Sequence, residues 1–206
     1  MKRYKKLAVF GGTFSPVHNG HLRALTAYVQ CVKPDAVYVI PTAIPPHKLR
    51  EDKATDAQRL AMLRMAVEEL DLPCEAVVSD MEMRRAGKSY TVLTVDALTA
   101  LAEEIVIFCG TDMLLSLESW YEATRLLRTV SVAYMQREKD GRFAAALRQK
   151  AKELTEKYGT RCTLIPTVAQ EISSTEIRDI VRSGKDISAF VPLRVAEYIA
   201  KEGLYR

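Results

Sequence analysis

The sequence has little of what marks the unusual protein classes. Nine glycines and eight prolines in 206 residues exclude a collagen-like or a Pro/Gly-rich disordered chain. No apolar run approaches 18 residues, so we expect neither a transmembrane segment nor a membrane partner. The basic start precedes an apolar run too short for a signal peptide, and we expect a cytoplasmic protein. The net charge of +4 is mild and does not indicate nucleic-acid binding.

The sequence also lacks the common metal and cofactor motifs. Four cysteines, Cys31, Cys74, Cys109 and Cys162, are too widely spaced for a CxxC zinc site or a disulfide framework, and we expect buried, reduced core residues. The three histidines do not have zinc spacing, so no metal site made of protein ligands is predicted. Neither a GxGxxG fingerprint nor a complete Walker A loop is present.

What the sequence does contain is an alternation of short apolar runs with helical patterns. The runs predict strands buried on both faces, and they are Leu7–Phe10, Ala36–Ile40, Ala76–Ser79, Ile105–Cys109, Val130–Met135 and Thr163–Ile165. Strands separated by helices predict an α/β fold, a single doubly wound, Rossmann-like parallel sheet with helices on both faces. We expect one domain over residues 1–206, with a C-terminal helical part at about 172–206.

Capping boxes predict where two of the helices begin. Thr55 starts a helix whose apolar face is expected to carry Leu60, Leu63, Val67 and Leu70. Ser173 starts a later helix, which Gly184 is placed to end. The polar segment Met81–Tyr90 is predicted to be a loop. In such folds ligands bind beyond the carboxyl ends of the strands, so the residues after each apolar run are the informative ones.

The segment after the first predicted strand carries the strongest chemical signal. It reads Gly11-Gly-Thr-Phe-Ser-Pro-Val-His-Asn-Gly-His21. The two glycines allow backbone N–H groups to approach a ligand closely. His18 and His21 are three residues apart and share one face at a helix start, where phosphate is favoured. A lone histidine is usually a surface or core residue, but a pair directly after a Gly-Gly turn indicates a phosphate site.

A second candidate phosphate segment lies near the C-terminus and reads Ile172-Ser-Ser-Thr-Glu-Ile-Arg178. Serine hydroxyls and free N–H groups at a helix start can hold phosphates. Arg178, one turn into the helix, can bind phosphate oxygens with its planar guanidinium. Ser173 and Ser174 alone would fit ordinary N-capping, so the segment is specific only in combination with the histidine pair.

Together these two segments resemble the (T/H)xGH and ISSTxxR signatures of the nucleotidyltransferase superfamily. Four further segments are similar to those of bacterial nicotinate-nucleotide adenylyltransferases: Pro45-Pro-His-Lys48, Ser89-Tyr-Thr91, Gly110-Thr-Asp112 and Trp120-Tyr121. The resemblance spans essentially the whole chain. Ser15 departs from it, because the family often has Asp or Asn there. We interpret Ser15 as a change in loop geometry, since serine can make the same local turn bond more weakly.

The resemblance implies a reaction, its substrates and a set of site residues. It implies transfer of the adenylyl group of ATP to nicotinate mononucleotide, with Mg²⁺ held through phosphates and water, and it leads us to expect a homodimer. The implied catalytic residues are His18, His21 and Arg178. Those implied to bind ATP are Gly11, Gly12, Thr13, Phe14, Gly110, Asp112, Ile172, Ser173, Ser174 and Thr175. Those implied to bind the acceptor are His47, Lys48, Thr91, Trp120 and Tyr121.

Other interpretations stay open at this point. His47 and Lys48 could lie in a solvated loop, and Thr91 and Asp112 could simply cap helices. The acceptor could instead be nicotinamide mononucleotide or phosphopantetheine, although Trp120 and the Pro45-Pro-His-Lys48 segment argue against the latter. The chain could also be a non-catalytic nucleotide sensor or an RNA-binding relative. The presence of both histidines and of Arg178 argues against a chain that has lost its chemistry.

Overall fold

Six parallel strands form one sheet in the structure, a computed structural model that describes residues 3–45, 54–136, 141–166 and 172–206. The strands are β1 (Tyr4–Gly12), β2 (Ala36–Pro41), β3 (Glu75–Val78), β4 (Ala102–Cys109), β5 (Ser131–Tyr134) and β6 (Cys162–Leu164). Their order in the sheet is β3-β2-β1-β4-β5-β6, and every neighbouring pair is parallel. The predicted doubly wound sheet is confirmed, and each predicted strand overlaps an observed one. The predicted burial on both faces is wrong for β3 and β6, whose residues are exposed or half-buried because these strands form the edges of the sheet.

Helices cover both faces of this sheet, as predicted. They are α1 (Asn19–Val32), α2 (Asp56–Glu68), α3 (Met81–Arg84), α4 (Thr91–Leu98), α5 (Thr111–Ser116), α6 (Ala123–Thr129), α7 (Ala144–Tyr158), α8 (Ser174–Arg182) and α9 (Leu193–Glu202), with a 3₁₀ turn at Leu117–Ser119. Successive residues of a strand point to opposite faces. Ala8 and Phe10 therefore pack with α1, α2, α8 and α9, whereas Leu7 and Val9 pack with α4, α5, α6 and α7.

The topology places a crevice between β1 and β4. These two central strands are neighbours, with Val9 paired to Ile107, and the chain leaves them toward opposite edges of the sheet. A crevice opens beyond the carboxyl ends of the strands at such a switch point. Gly11 and Gly12 end β1, and Gly110 directly follows β4, so the glycine segments lie at this crevice.

Both predicted capping boxes are present. The Thr55 hydroxyl accepts from the Gln58 amide at 3.2 Å, and the Gln58 side chain accepts from the Thr55 amide at 2.9 Å. Ser173 and Glu176 make the equivalent pair of bonds at 3.2 and 2.8 Å. α8 ends at Arg182, and Gly184 follows in the left-handed region with φ 70°.

The predicted apolar face of α2 is partly wrong. Leu63 and Val67 are buried, but Leu60 is only half-buried and Leu70 lies beyond the end of the helix. The residue directly before Leu60 is Arg59, and its side chain is fully buried in place of that of Leu60. A buried guanidinium is tolerated only when hydrogen-bond partners satisfy it.

Two further expectations need correction. The segment predicted to be a loop over Met81–Tyr90 contains α3, where the polar Glu82 is buried and Arg84 pairs with Asp80 at 2.9 Å. All four cysteines are free thiols, and Cys109 is buried as expected. The other three are only half-buried: Cys31 lies in α1, Cys74 in the connection before β3, and Cys162 in the edge strand β6. None of the helices in the described residues is both long and apolar enough to cross a bilayer.

Candidate active site

A cavity of about 490 Å³ opens beyond the carboxyl ends of the central strands. This volume lies in the usual range for small-molecule sites, roughly 300–1,000 Å³. Its walls come from the ends of β1, β2 and β4 and from α3, α4 and α5. The lining includes seven of the residues predicted from the sequence: Gly11, Gly12, Thr13, Thr91, Asp112, Trp120 and Tyr121. Residues expected to bind ATP and residues expected to bind the acceptor therefore share one cavity.

Aromatic side chains form one wall of this cavity. Trp120 is half-buried, and Tyr121 remains 49% exposed and stacks on Tyr90 with ring centroids 4.3 Å apart. Ser89 anchors this wall, because its hydroxyl accepts from the Ala43 amide at 3.1 Å. Flat aromatic surfaces of this kind bind ring-shaped ligands by stacking.

The start of α4 lies at the same wall. Tyr90 occupies the N-cap position without a side-chain hydrogen bond, and Thr91 is the first helical residue. The interpretation of Thr91 as a cap is therefore wrong. The same holds for Asp112, because Gly110 occupies the N-cap position of α5 and Asp112 lies in its first turn. Uncapped first-turn N–H groups at Thr91 are suited to an anionic group in the cavity.

A buried carboxylate, missed by the sequence analysis, also lines the cavity. Glu82 is 8% exposed, and the Thr94 hydroxyl donates to its Oε1 at 2.6 Å. Arg85 donates to the same hydroxyl at 3.3 Å. With Asp112, the cavity thus has two carboxylates that can accept hydrogen bonds from hydroxyl groups.

An ion-pair network supports the segment that carries Trp120. Glu118, in the 3₁₀ turn, accepts from Lys157 at 2.8 Å and from the Tyr158 hydroxyl at 2.7 Å, and it also pairs with Lys150. The three donors belong to α7. These hydrogen bonds, led by that of Lys150, lower the pKa of the Glu118 carboxyl from 4.5 to about 2.

The two predicted histidines lie together at the start of α1. His18 is the N-cap residue, and its Nδ1 accepts from the His21 amide at 3.3 Å. Their rings stack with centroids 3.6 Å apart. Gly20 leaves room for this arrangement, because a Cβ there would lie 3.0 Å from His18 Nδ1 and 3.1 Å from Ile172. The expectation that both rings share one face of the helix is confirmed by this geometry.

The segment leading to this pair, which we call the histidine loop (residues 13–18), is held through its carbonyl oxygens. Arg59 Nη1 donates to the Thr13 carbonyl at 2.6 Å. Arg178 Nη1 donates to the Ser15 carbonyl at 2.8 Å, and the Ser174 hydroxyl donates to the Pro16 carbonyl at 2.9 Å. The two residues predicted to bind phosphate from α8 therefore also fix the loop that precedes the histidines.

The interpretation of Ser15 as a local turn former does not fit the structure. Its hydroxyl is buried and lies 3.1 Å from the Tyr205 hydroxyl, 190 residues away. The short serine side chain fits this buried position. The backbone carbonyl of Ser15 is held separately, by Arg178. Ser15 thus joins the loop to the C-terminal part of the chain.

The other residues predicted to bind ATP surround the histidine pair and the start of α8. Phe14 is buried with its ring against that of His21, and Ile172 is buried beside Gly20. Ser173 caps α8, and its hydroxyl donates to Glu176 at 2.7 Å, which with His18 nearby lowers the pKa of that carboxyl. Thr175 accepts from Arg178 Nη2 at 3.1 Å. His47 and Lys48 lie outside the described residues.

Arg59 is the second residue that the sequence analysis missed. Its side chain is fully buried, and besides the Thr13 carbonyl it contacts Asp56 at 2.8 Å. The sequence did contain a signal. Arg59 falls on the apolar stripe of α2, four residues before Leu63, where a charged side chain is expected only with buried partners.

Comparisons with known proteins agree with this architecture. The profile of the cytidylyltransferase-like family matches residues 9–180. The chain is 32% identical to a probable nicotinate-nucleotide adenylyltransferase of Caldicellulosiruptor bescii, across 98% of this chain and 99% of that protein. It is 34% identical to a relative of the same description from Halalkalibacterium halodurans, across 98% and 92%.

A solved structure shares the fold at lower sequence identity. It is the nicotinic acid mononucleotide adenylyltransferase of Plasmodium falciparum, complexed with NaAD. The TM-score is 0.78 at 18% identity, and the superposition covers 98% of this chain and 97% of that one.

Proposed function

Because the chain belongs to the cytidylyltransferase-like family and, within it, to the nicotinate-nucleotide adenylyltransferases, we propose that it transfers the adenylyl group of ATP to nicotinate mononucleotide in NAD biosynthesis. The products are nicotinate adenine dinucleotide and pyrophosphate. The observation that carries the proposal is the single turn after β1. Its glycines line a cavity with an aromatic wall, and the residues that follow lead directly to the stacked histidines.

The acceptor is assigned to the aromatic side of the cavity. The Trp120 ring stacks on the pyridine, and N–H groups of the first turn of α4 and near Tyr121 bind its carboxylate. Glu82 accepts from a hydroxyl of the acceptor, and Asp112 accepts from the ribose of the adenosine. A site built around a carboxylate leaves donors unpaired with an amide, which is the physical basis for preferring the acid.

The triphosphate is assigned to the glycine turn, the histidine pair and α8. His18 and His21 donate to oxygens around the reacting α-phosphorus, and α8 holds the departing phosphates. Arg178 Nε is buried and has no hydrogen-bond partner in the described part of the chain, so it is the donor that we assign to a phosphate oxygen. The same side chain can then hold the loop with Nη1 and the nucleotide with Nε.

The reaction is an in-line displacement at phosphorus. A phosphate oxygen of the mononucleotide forms a bond to the α-phosphorus of ATP, the bond to the bridging oxygen of the β-phosphate breaks, and pyrophosphate leaves. A phosphate monoester has a second pKa of about 6 and is already ionised at neutral pH, so no general base is required. The protein positions the two reactants and stabilises the negative charge that develops in the transition state.

A divalent ion, Mg²⁺ in our proposal, fits this site as part of the nucleotide. In the described residues no group of three or more histidine, cysteine or carboxylate side chains is placed to hold a metal. Mg²⁺ binds readily through substrate phosphates and keeps several waters, so few protein ligands are needed. When bound, it would neutralise charge on the phosphates that His18, His21 and Arg178 contact.

Pyrophosphate release from Mg-ATP tests the proposal directly. Nicotinate mononucleotide, nicotinamide mononucleotide and phosphopantetheine are offered separately. We expect fast turnover with the acid and about 5- to 150-fold lower kcat/KM with the amide, since one unpaired buried donor costs about 1–3 kcal/mol. Equal or faster turnover with either alternative acceptor would show that the assignment of nicotinate mononucleotide as the acceptor is wrong. ATP binding without turnover of any acceptor would favour a nucleotide sensor instead.

A further inference from the structure

A buried arginine outside the assigned machinery contacts the histidine loop. Among the described residues Arg59 is the largest fully buried side chain. Its guanidinium donates to the Thr13 carbonyl at 2.6 Å and to Asp56 at 2.8 Å. Burying a charge is costly unless it is paired, and here the partner on one side is a backbone carbonyl of the loop. Arg59 therefore occupies a position in the core of the protein and holds the histidine loop from there.

The residue next to that carbonyl has an unfavourable backbone conformation. Phe14 has φ 49°, in the left-handed region that residues with a side chain adopt rarely. Such a conformation costs about 1–3 kcal/mol and persists only where its surroundings enforce it. The carbonyl of Thr13, directly before Phe14, is held by Arg59, and the carbonyl of Ser15, one residue after Phe14, is held by Arg178. Two guanidinium groups, from α2 and α8, therefore hold Phe14 in place from both sides.

The ring of Phe14 links this conformation to the histidines. It is 1% exposed and packs over Gly12, where a Cβ would lie 2.8 Å from its ring carbons. Its edge contacts the His21 ring with centroids 5.0 Å apart and planes at 73°. His21 in turn stacks on His18. A shift of Phe14 would therefore move the imidazoles.

We propose that Arg59 is a positioning residue for the histidine pair, acting through the Thr13 carbonyl and the conformation of Phe14. Arg59 itself touches no reacting group. Its catalytic consequence rests on the proposed function, but the structural link does not.

The structural link is tested by NMR of the imidazole rings without nucleotide. The chain has three histidines, so single substitutions assign their signals. Arg59→Lys keeps the charge but not the fork that bridges Thr13 and Asp56, and Phe14→Leu removes the ring. We expect both variants to shift the His21 signals, and the double variant to add little to Phe14→Leu. Arg64→Met is the matched control, because Arg64 is exposed on the same helix, and it should shift nothing.

Kinetics then test the consequence for turnover. For Arg59→Lys we expect kcat to fall about 10- to 100-fold, since a misplacement of about 1 Å can cost 10²-fold, while the KM for ATP changes far less. A variant that is merely less stable would keep kcat per folded molecule and leave the His21 signals unchanged, and that result would overturn the proposal. Failure of the wild-type protein to turn over any acceptor would refute the proposed function alone, because the NMR comparison needs no reaction.

Discussion

The cavity and the histidine loop are adjacent but are built in different ways. The cavity presents side chains, some of them exposed, and its buried pair Thr94 and Glu82 is only 12 residues apart in sequence. The loop is buried and fixed through backbone carbonyls, by Arg59, Ser174 and Arg178, which lie 46, 158 and 163 residues from the groups they hold. We infer that recognition of the acceptor relies on groups that lie close together in sequence, whereas the chemistry relies on a backbone preorganised by distant helices.

The strongest test of this division is to remove a catalytic donor without disturbing the loop. His18 is also the N-cap of α1, so alanine would remove two functions at once. His18→Asn keeps a capping acceptor and removes the imidazole. We expect kcat to fall by ~10²–10³, the usual cost of one donor to a developing oxyanion, in steady-state assays with Mg-ATP.

The same variant should leave recognition of the acceptor intact. We expect the KM for nicotinate mononucleotide to stay within about threefold of wild type, because His18 does not line the cavity. Thermal unfolding should show a melting temperature near that of wild type. Near-normal turnover in a folded His18→Asn protein would contradict the assignment of His18 to the reacting phosphate.

A smaller effect, on the other side of the comparison, is expected for Trp120→Ala. Loss of stacking on a ring costs about 1–3 kcal/mol, which corresponds to an increase of about 5- to 150-fold in the KM for the acceptor. The KM for ATP should change much less, and Trp120→Phe should restore part of the affinity. If the KM for ATP rose as much as that for the acceptor, the assignment of the aromatic wall to the pyridine would be wrong.

The smallest expected effect is a pH dependence confined to the cavity side. The pKa of Glu118 is lowered to about 2 in the folded protein, below its ordinary 4.5. Its stabilising contribution is therefore fully present above about pH 4.5 and is lost as the pH falls toward about 2. Because Trp120 is the only tryptophan and lies two residues beyond Glu118, its fluorescence should report this loss.

Glu118→Gln provides the control for that acid effect. Urea unfolding of the variant, followed by Trp120 fluorescence, should show lower stability than wild type near pH 7 and a smaller loss of stability on going to about pH 3. Identical pH dependence of the two proteins would show that the network around Glu118 does not hold the segment of Trp120.

Much of the fold could be predicted because its signals are local. Uninterrupted apolar runs follow from the inner strands, which are largely buried on both faces. The capping boxes at Thr55 and Ser173 mark helix starts within four residues. The proximity of His18 and His21 likewise follows from helical spacing. The resemblance to a known family supplied the residues of the aromatic wall, which no spacing rule would have assembled.

What could not be predicted depends on contacts between distant residues. Arg59 looks like an interruption of an apolar stripe until its partner, the Thr13 carbonyl, is seen in space. The segment of Glu82 was predicted to be a loop because it is polar and contains Gly87. A carboxylate predicts exposure unless a group such as Thr94 satisfies it, and this contact is visible only in space. Ser15 looked like a turn residue, although its partner Tyr205 is almost the full chain length away.

Because the histidine loop depends on α8, it cannot be fixed until late in the synthesis of the chain. Ser15 is synthesised 163 residues before Arg178, whose guanidinium holds its carbonyl. At about 5–20 residues per second, the loop waits roughly ten to thirty seconds for that partner. A ribosome-bound chain in this interval contains the residues of β1 and of its glycine turn but not the group that fixes the backbone after them. We therefore expect nucleotide binding to begin only after residue 178 has left the exit tunnel.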